Sequence, residues 1–277
     1  MKEIKKNTTI IQAGKYDRQY LIDLWKYREL FYFLSWRDIL VRYKQTVIGV
    51  VWSIIRPILT MIVFTIIFGK IAKLPSGNVP YPILVFVALL PWQFFANALQ
   101  SSGNSLVGNA GMISKVYFPR MIVPASSIIV AFIDFLISFI ILIILMFWYR
   151  FVPDWKVVTI PLFLILAILL TLGAGFLISS LNVKYRDFQY IVPFIVQLGL
   201  YISPVGFSSD IIPQKWKIIY SLNPMVGIID GFRWAFFGTQ SNYLMLSIVF
   251  SIVIIILILF IGIRYFRKTE RTFADRI

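Results

Sequence analysis

The 277-residue sequence contains no cysteine and no histidine. Without cysteine there are no disulfides and no thiol nucleophile, and without histidine there is no imidazole base. The usual zinc ligands are gone with them, so no metal site is expected. Charge is scarce as well. Only 14% of the residues are charged, and acidic residues number 12 against 27 Lys and Arg. A phosphate-binding G-x-x-x-x-G-K-[ST] loop is also missing. Gly14-Lys15 and Gly69-Lys70 lack both the earlier glycine and the following hydroxyl. If ATP drives this chain, another chain must bind it, and no cofactor is expected here.

What is abundant is apolar surface. Hydrophobic residues make up 59% of the sequence and aromatics 17%. A soluble domain of this size cannot hide so much, because most of its exterior must face water. Several apolar runs reach about 20 residues, enough to cross a bilayer core of roughly 30 Å. The expected fold is therefore an all-α polytopic membrane protein with six transmembrane helices. The spans fall at about 46–69, 81–99, 121–148, 157–181, 188–204 and 243–263. No repeat relates the two halves, which argues against inverted-repeat transporters.

The net charge of +15 would suggest nucleic acid in a soluble protein. Here the cations cluster at the ends of the apolar runs, where they set topology. Segments placed inside by a six-span, both-ends-in arrangement carry more than twice the Lys and Arg of those placed outside, the pattern expected of cytoplasmic loops. The expected organisation is a cytoplasmic N-terminus over 1–45, a six-span domain over 46–264 and a basic cytoplasmic tail over 265–277. The first twenty residues are polar, so the first span is expected to serve as an uncleaved anchor.

Between about Tyr20 and Trp36, Leu21, Leu24 and Trp25 form an apolar turn beside Asp23, Lys26 and Arg28, followed by Phe31, Tyr32, Phe33 and Trp36. This pattern suits a helix lying along the membrane surface; an ordinary soluble helix is the alternative. Gln100 to Arg120 reads as a polar Gly/Ser/Asn segment. Residues 205–242 are too apolar for an open loop and too broken by Gly and Pro for a span. Asn223-Pro224 offers a helix start and Gly238 a stop, giving two short re-entrant helices.

Two ionisable residues fall deep within spans, Arg56 and Asp134. Each costs at least ~2.5–3.5 kcal/mol near the bilayer centre unless compensated. At 1.5 Å per residue they lie roughly 15 and 20 Å from the cytoplasmic side, within reach of one another. They pair, or both face a polar path, or Arg56 snorkels to the inner headgroups. Ser127, Ala131, Asp134 and Ser138 share one small polar helix face, beside a row of Phe132, Phe135 and Phe139. Ala167, Thr171, Gly175 and Ser179 place small residues every fourth position, which permits close helix packing. Trp148, Tyr149 and Trp155 suit an interfacial belt. A membrane enzyme is disfavoured by the lone intramembrane carboxylate.

Several motifs, taken in order, resemble one family. They are 24-LWKYREL-30, Trp36-Arg37-Asp38, 42-RYKQT-46 with Gly49 and Trp52, Leu90-Pro91-Trp92, 115-KVYFPR-120 with Pro124, Tyr185-Arg186-Asp187, Ser203-Pro204-Val205, and Asn223-Pro224-Met225 with Arg233. The chain is similar to the polysaccharide and polyol-phosphate ABC exporter permeases, nearest their O-antigen (Wzm-type) branch. That resemblance implies a homodimer working with two copies of a separate ABC ATPase, which holds ATP and Mg. The cargo would be an undecaprenyl-linked glycan crossing the bacterial inner membrane. Teichoic-acid and capsule exporters share these motifs, and an ion-coupled transporter is a more distant alternative. By the same resemblance, Trp25, Lys26, Arg28 and Glu29, with Lys115 and Tyr117 on a cytoplasmic helix between spans 2 and 3, would meet the ATPase. Lipid binding is the alternative for Lys26 and Arg28. Pro204, Asn223, Pro224 and Arg233 would gate the periplasmic exit, unless Arg233 holds a headgroup phosphate. The substrate path would include Arg56, Asp134, Ser138, Phe132, Phe135 and Phe139.

Overall fold

The computed structural model describes residues 17–44, 49–77, 79–238 and 243–273, and all regular structure among them is helical. Helix α1 (Asp17–Lys26) and helix α2 (Arg28–Lys44) are separated by a turn at Tyr27. Helix α3 (Gly49–Phe64) continues as one wider π-helical stretch through Thr65–Ile71. Helix α4 (Tyr81–Gly108) is followed by the single turn α5 (Ala110–Ile113) and then by α6 (Ile122–Trp148). A 3-10 turn (Trp155–Thr159) leads into α7 (Ile160–Lys184), and α8 (Phe188–Ile202) follows. Helices α9 (Gln214–Ser221) and α10 (Pro224–Phe237) precede α11 (Leu244–Thr269).

Among the described residues, five helical segments are long and apolar enough to cross a membrane: Val51–Ile71, Tyr81–Gly108, Ile122–Trp148, Trp155–Lys184 and Leu244–Thr272. Helices suit such segments because every backbone polar group is satisfied within the segment itself. The expected sixth span is the shorter α8, whose 15 residues reach about 22 Å. Part of the expected start of span 1, residues 46–48, lies outside the described residues.

Helix α4 forms the axis. Every residue from Ile83 to Trp92 is buried, and the helix packs against α6, α7, α10, α3 and α8. The helix runs past the expected end of span 2 and takes in the first part of the polar segment, to Gly108. The small residues of that stretch are packing residues. Ser102 lies against Gly175 of α7 and Gly103 against Ile178, while Asn182 Nδ2 donates to Gly103 O at 3.1 Å and Asn104 Oδ1 at 2.9 Å. The expected cytoplasmic helix between these spans shrinks accordingly to the four-residue α5.

The small stripe of Ala167, Thr171, Gly175 and Ser179 is buried as expected. On another side of α7, the backbones of α7 and α11 touch. A Cβ added at Gly173 would sit 2.6 Å from the Leu259 Cα, and Gly262 lies against the Gly173 backbone. Glycine is required at this crossing by the absence of space for any side chain.

A second core gathers at the basic end, where Leu34, Leu106, Ile113, Phe118, Met121, Phe176, Phe266 and Phe273 pack together. Tyr20 donates to Glu270 Oε1 at 2.9 Å, the Arg120 amide donates to the same oxygen at 2.8 Å, and Arg120 Nη1 donates to the Glu270 carbonyl. Burial, reinforced by Glu270, raises the pKa of the Tyr20 hydroxyl, so it stays a donor. Residues 265–273 therefore continue α11 and fold back onto the bundle, with Phe273 buried against Phe266.

Candidate functional site

A groove runs along α4, formed by two adjoining cavities: one of about 320 Å³ among α2, α3, α4 and α6, and one of about 570 Å³ among α3, α4 and α8. Arg56, Gln93 and Asn97 line both cavities and mark their junction. On α4 the amides Gln93, Asn97, Gln100 and Asn104 recur at i, i+4, i+7 and i+11, one continuous face. The first three line the groove, and Gln197 of α8 stands across from them. Aromatic and apolar side chains complete the walls. Trp92 lies over Gly199 of α8, and Phe64 of α3 stacks with Tyr201 of α8 at 6.1 Å between ring centroids.

The smaller cavity holds the ionisable residues. Asp134 is buried on α6, and its carboxylate accepts from Tyr43 Oη at 2.5 Å and pairs with Arg42 Nη2 at 2.5 Å. Burial, with the hydrogen bond to Asp134, pushes the Tyr43 hydroxyl pKa upward and keeps it protonated. Of the alternatives left open for Arg56 and Asp134, a direct pair or a shared polar path, the structure shows both on the wall of one cavity. Among the described residues no ion pair joins them; Asp134 is held by the C-terminal turn of α2, and Arg56 stands in the same cavity facing the groove. The reason is geometric, since α2 packs directly on α6 and delivers Arg42 and Tyr43 together.

Of the other expected path residues, Asp134, Phe135 and Ser138 form cavity wall. Phe132 and Phe139 stack on either side of Phe135, at 6.3 and 6.1 Å. Phe135 meets Phe94 and Phe232, and Phe139 meets Phe236, so the row is largely a packing seam among α4, α6 and α10. Sequence reasoning did not single out Gln93, Asn97, Gln100, Gln197, Trp92, Tyr201, Arg42 or Tyr43 for the path. The amide repeat inside an apolar run was the available signal.

At the basic end, Trp25, Lys26, Arg28, Glu29, Lys115 and Tyr117 are all exposed. The Arg28 guanidinium sits over the Trp25 ring at 5.6 Å, and Lys26 pairs with Asp23 at 3.7 Å. The two segments carrying these residues adjoin, with Tyr27 Oη donating to the Tyr117 carbonyl at 3.5 Å. Ile22 and Trp25 of α1 and Tyr32, Phe33, Trp36 and Leu40 of α2 are also exposed.

At the opposite end the expected caps are present. Asn223 Oδ1 accepts from the Met225 amide at 3.0 Å, Pro224 opens α10, and Gly238 closes it in the left-handed conformation with φ 68°. Pro204 is buried in the segment that precedes α9. That segment is stapled from several sides. Asn223 Nδ2 donates to Ser203 Oγ at 3.0 Å, Arg233 donates to Phe207 O at 2.6 Å and Val205 O at 3.2 Å, and Tyr81 Oη donates to Gly206 O at 2.6 Å. Ser209 Oγ bonds Asp230 at 2.7 Å. Arg233 is therefore buried in protein, which corrects the alternative that it holds a headgroup phosphate.

The comparison with known families matches residues 29–237 to the ABC-2 type transporter membrane family. This chain belongs to that family. The match begins within α2 and ends with α10, so it takes in the groove helices, the Arg42–Asp134 contact and the stapled segment. Among relatives of this ABC-2 type transporter, the O-antigen export system permease protein RfbA of Klebsiella pneumoniae is 31% identical over 265 residues, 94% of this chain and 97% of that one. RfbA of Myxococcus xanthus is 27% identical, covering 78% and 83%. The polysialic acid transport protein KpsM of Escherichia coli is 24% identical, covering 84% and 91%. The family resemblance read from the motifs is thus borne out.

Proposed function

We propose that this chain is the transmembrane subunit of an ABC transporter that exports an undecaprenyl-linked, O-antigen-type polysaccharide across the bacterial inner membrane. ATP hydrolysis takes place on a separate subunit, with two permeases and two ATPases in the assembly. The observation that carries this reading is the groove lined by an amide row and aromatic rings. Amides exchange hydrogen bonds with sugar hydroxyls without fixing charge, and flat rings offer apolar surface along which a sugar face slides. A groove open along one side of the chain suits a polymer path completed by a second copy. The name and the 31% identity of the Klebsiella relative favour O-antigen over capsule or teichoic acid.

The six-span, both-ends-in topology is part of the proposal. Helix α1 is bonded to the end of α11 through Tyr20 and Glu270, which supports both ends lying on one side. An even number of crossings is then required, and α8 supplies the sixth by local thinning or cover from its neighbours. The basic residues at that end favour the cytoplasm. Trp25, Lys26, Arg28, Glu29, Lys115 and Tyr117 are then the ATPase contact, and α9 and α10 dip into the outer leaflet with Pro204, Asn223, Pro224 and Arg233 at the exit.

The test is to purify the chain with its ATPase, reconstitute the complex and follow polymer export with hydrolysable and non-hydrolysable ATP. Export only with hydrolysis is expected. Nucleotide turnover by the isolated chain, or proton-driven flux without the ATPase, would overturn the proposal.

A further inference from the structure

We infer that Arg56, with the Gln93 and Asn97 amides beside it, is a subsite for a lipid-borne phosphate or diphosphate group. The inference rests on the groove being the transport path, as proposed above.

Arg56 is the one charged residue of α3, carried on a helix otherwise made of apolar and hydroxyl side chains. An intramembrane guanidinium needs a compensating partner. The nearby carboxylate, Asp134, is bonded by Arg42 and Tyr43 and acts on Arg56 only through its charge, without a direct ion pair. The smaller cavity thus carries two guanidinium groups and one carboxylate, a net positive charge, in walls that are otherwise uncharged. Arg56 also faces the larger cavity, which has no ionisable acid in its lining. Gln93 and Asn97 border both cavities with Arg56 and supply neutral N–H donors.

The depth favours a lipid-borne anion. Gln93 lies about 18 Å along the roughly 42 Å of α4, near its middle, where a soluble anion would need to shed its hydration. A headgroup attached to an apolar chain arrives by way of the membrane. Guanidinium presents a planar fork that matches phosphate oxygens two at a time, which lysine does not.

The experiment uses the full chain in uncharged detergent, with binding read by calorimetry. The probes are farnesyl diphosphate, farnesol and inorganic diphosphate. Farnesyl diphosphate is expected to bind more tightly than farnesol by about tenfold or more, the scale of charge-assisted hydrogen bonds. Arg56→Gln should bring it to the level of farnesol, and Arg56→Lys should fall between. The melting profile of each variant shows that it is folded. Unchanged binding in folded Arg56→Gln overturns the subsite, as does equal binding of farnesol to the parent chain. Inorganic diphosphate binding as tightly as the lipid probe overturns the lipid-borne assignment. Export in the complex separates the two claims. Export without Arg56-dependent phosphate binding removes the subsite alone, while Arg56-dependent binding without export removes the transport reading alone.

Discussion

Helices α3 and α4 follow one another in the chain, pack together and are both strongly apolar, yet their surroundings differ. The core window of α4 is 78% buried, against 17% for the segment Val51–Ile71. On a hydropathy scan the exposed segment even scores as the more apolar, with a mean hydropathy of 2.1 against 1.7 for α4. Helix α4 is closed in by α6, α7 and α10 on most sides, and on its remaining face it turns the amide row toward the groove. Helix α3 touches α4, α6 and α2 but leaves Val51, Trp52, Leu59, Ile62 and Val63 uncovered. Helix α8 likewise leaves Tyr190, Phe194, Ile195 and Tyr201 exposed. One half of the molecule is thus a dense protein interior, and the other is a wall whose outer face requires lipid or a second copy.

Substitutions can break or sharpen that contrast. The largest effect is expected in the dense half, at the crossing of α7 and α11. Gly173→Leu must push backbone away from backbone, and should cost about 3 kcal/mol or more, read as a collapse of the melting transition in detergent. A normal melt would mean that α11 is not seated there.

Arg233→Met ranks next. It removes the donors to Phe207 O and Val205 O and leaves Asp230 buried without its nearby cation, a loss of about 2–4 kcal/mol. Limited proteolysis should then cut within 203–212; protection equal to the parent chain would show that the staple holds without it.

The effect should shrink at Arg42–Asp134, because the Arg42 side chain is 39% exposed and solvent screens the pair. Asp134→Asn is expected to cost about 1 kcal/mol. Exchange of the two charges, Arg42→Asp with Asp134→Arg, should recover part of it, whereas the exchange with Arg56 should not. Rescue by Arg56 instead would restore the pairing expected from the sequence.

In the groove, Asn97→Leu should alter stability by no more than about 0.5 kcal/mol, since Asn97 faces open space. Polymer export by the complex should nevertheless fall. Full export would leave the amide row without a role.

Much of the architecture was legible before any coordinates. The apolar runs gave the long helices because lipid leaves the backbone few alternatives to helix. Asn223-Pro224 and Gly238 announced α10 because caps act locally, through side chain and backbone of adjacent residues. What was not legible shares one cause. Gln100 to Gly108 read as a polar segment because its Ser, Gly and Asn residues are polar or small, and only the neighbouring face of α7 turns them into packing residues. That Arg42 holds Asp134 was not legible because depth along separate helices says nothing about which helix stands beside α6. The ring contacts of Phe132 and Phe139 were not legible because exposure and packing are indistinguishable in an aromatic row.

The sequence by itself determined that this chain is a set of membrane-spanning helices with a basic end and without a G-x-x-x-x-G-K-[ST] loop, since those follow from composition and local spacing. Only the tertiary structure decided which faces meet: that Arg42 rather than Arg56 holds Asp134, that Arg233 is buried, and that the amides of α4 look into open space. Contacts between residues of separate segments, from 26 positions apart at Arg233 and Phe207 to 91 at Tyr43 and Asp134, depend on how helices are arranged around one another, and the period of a single helix does not encode that.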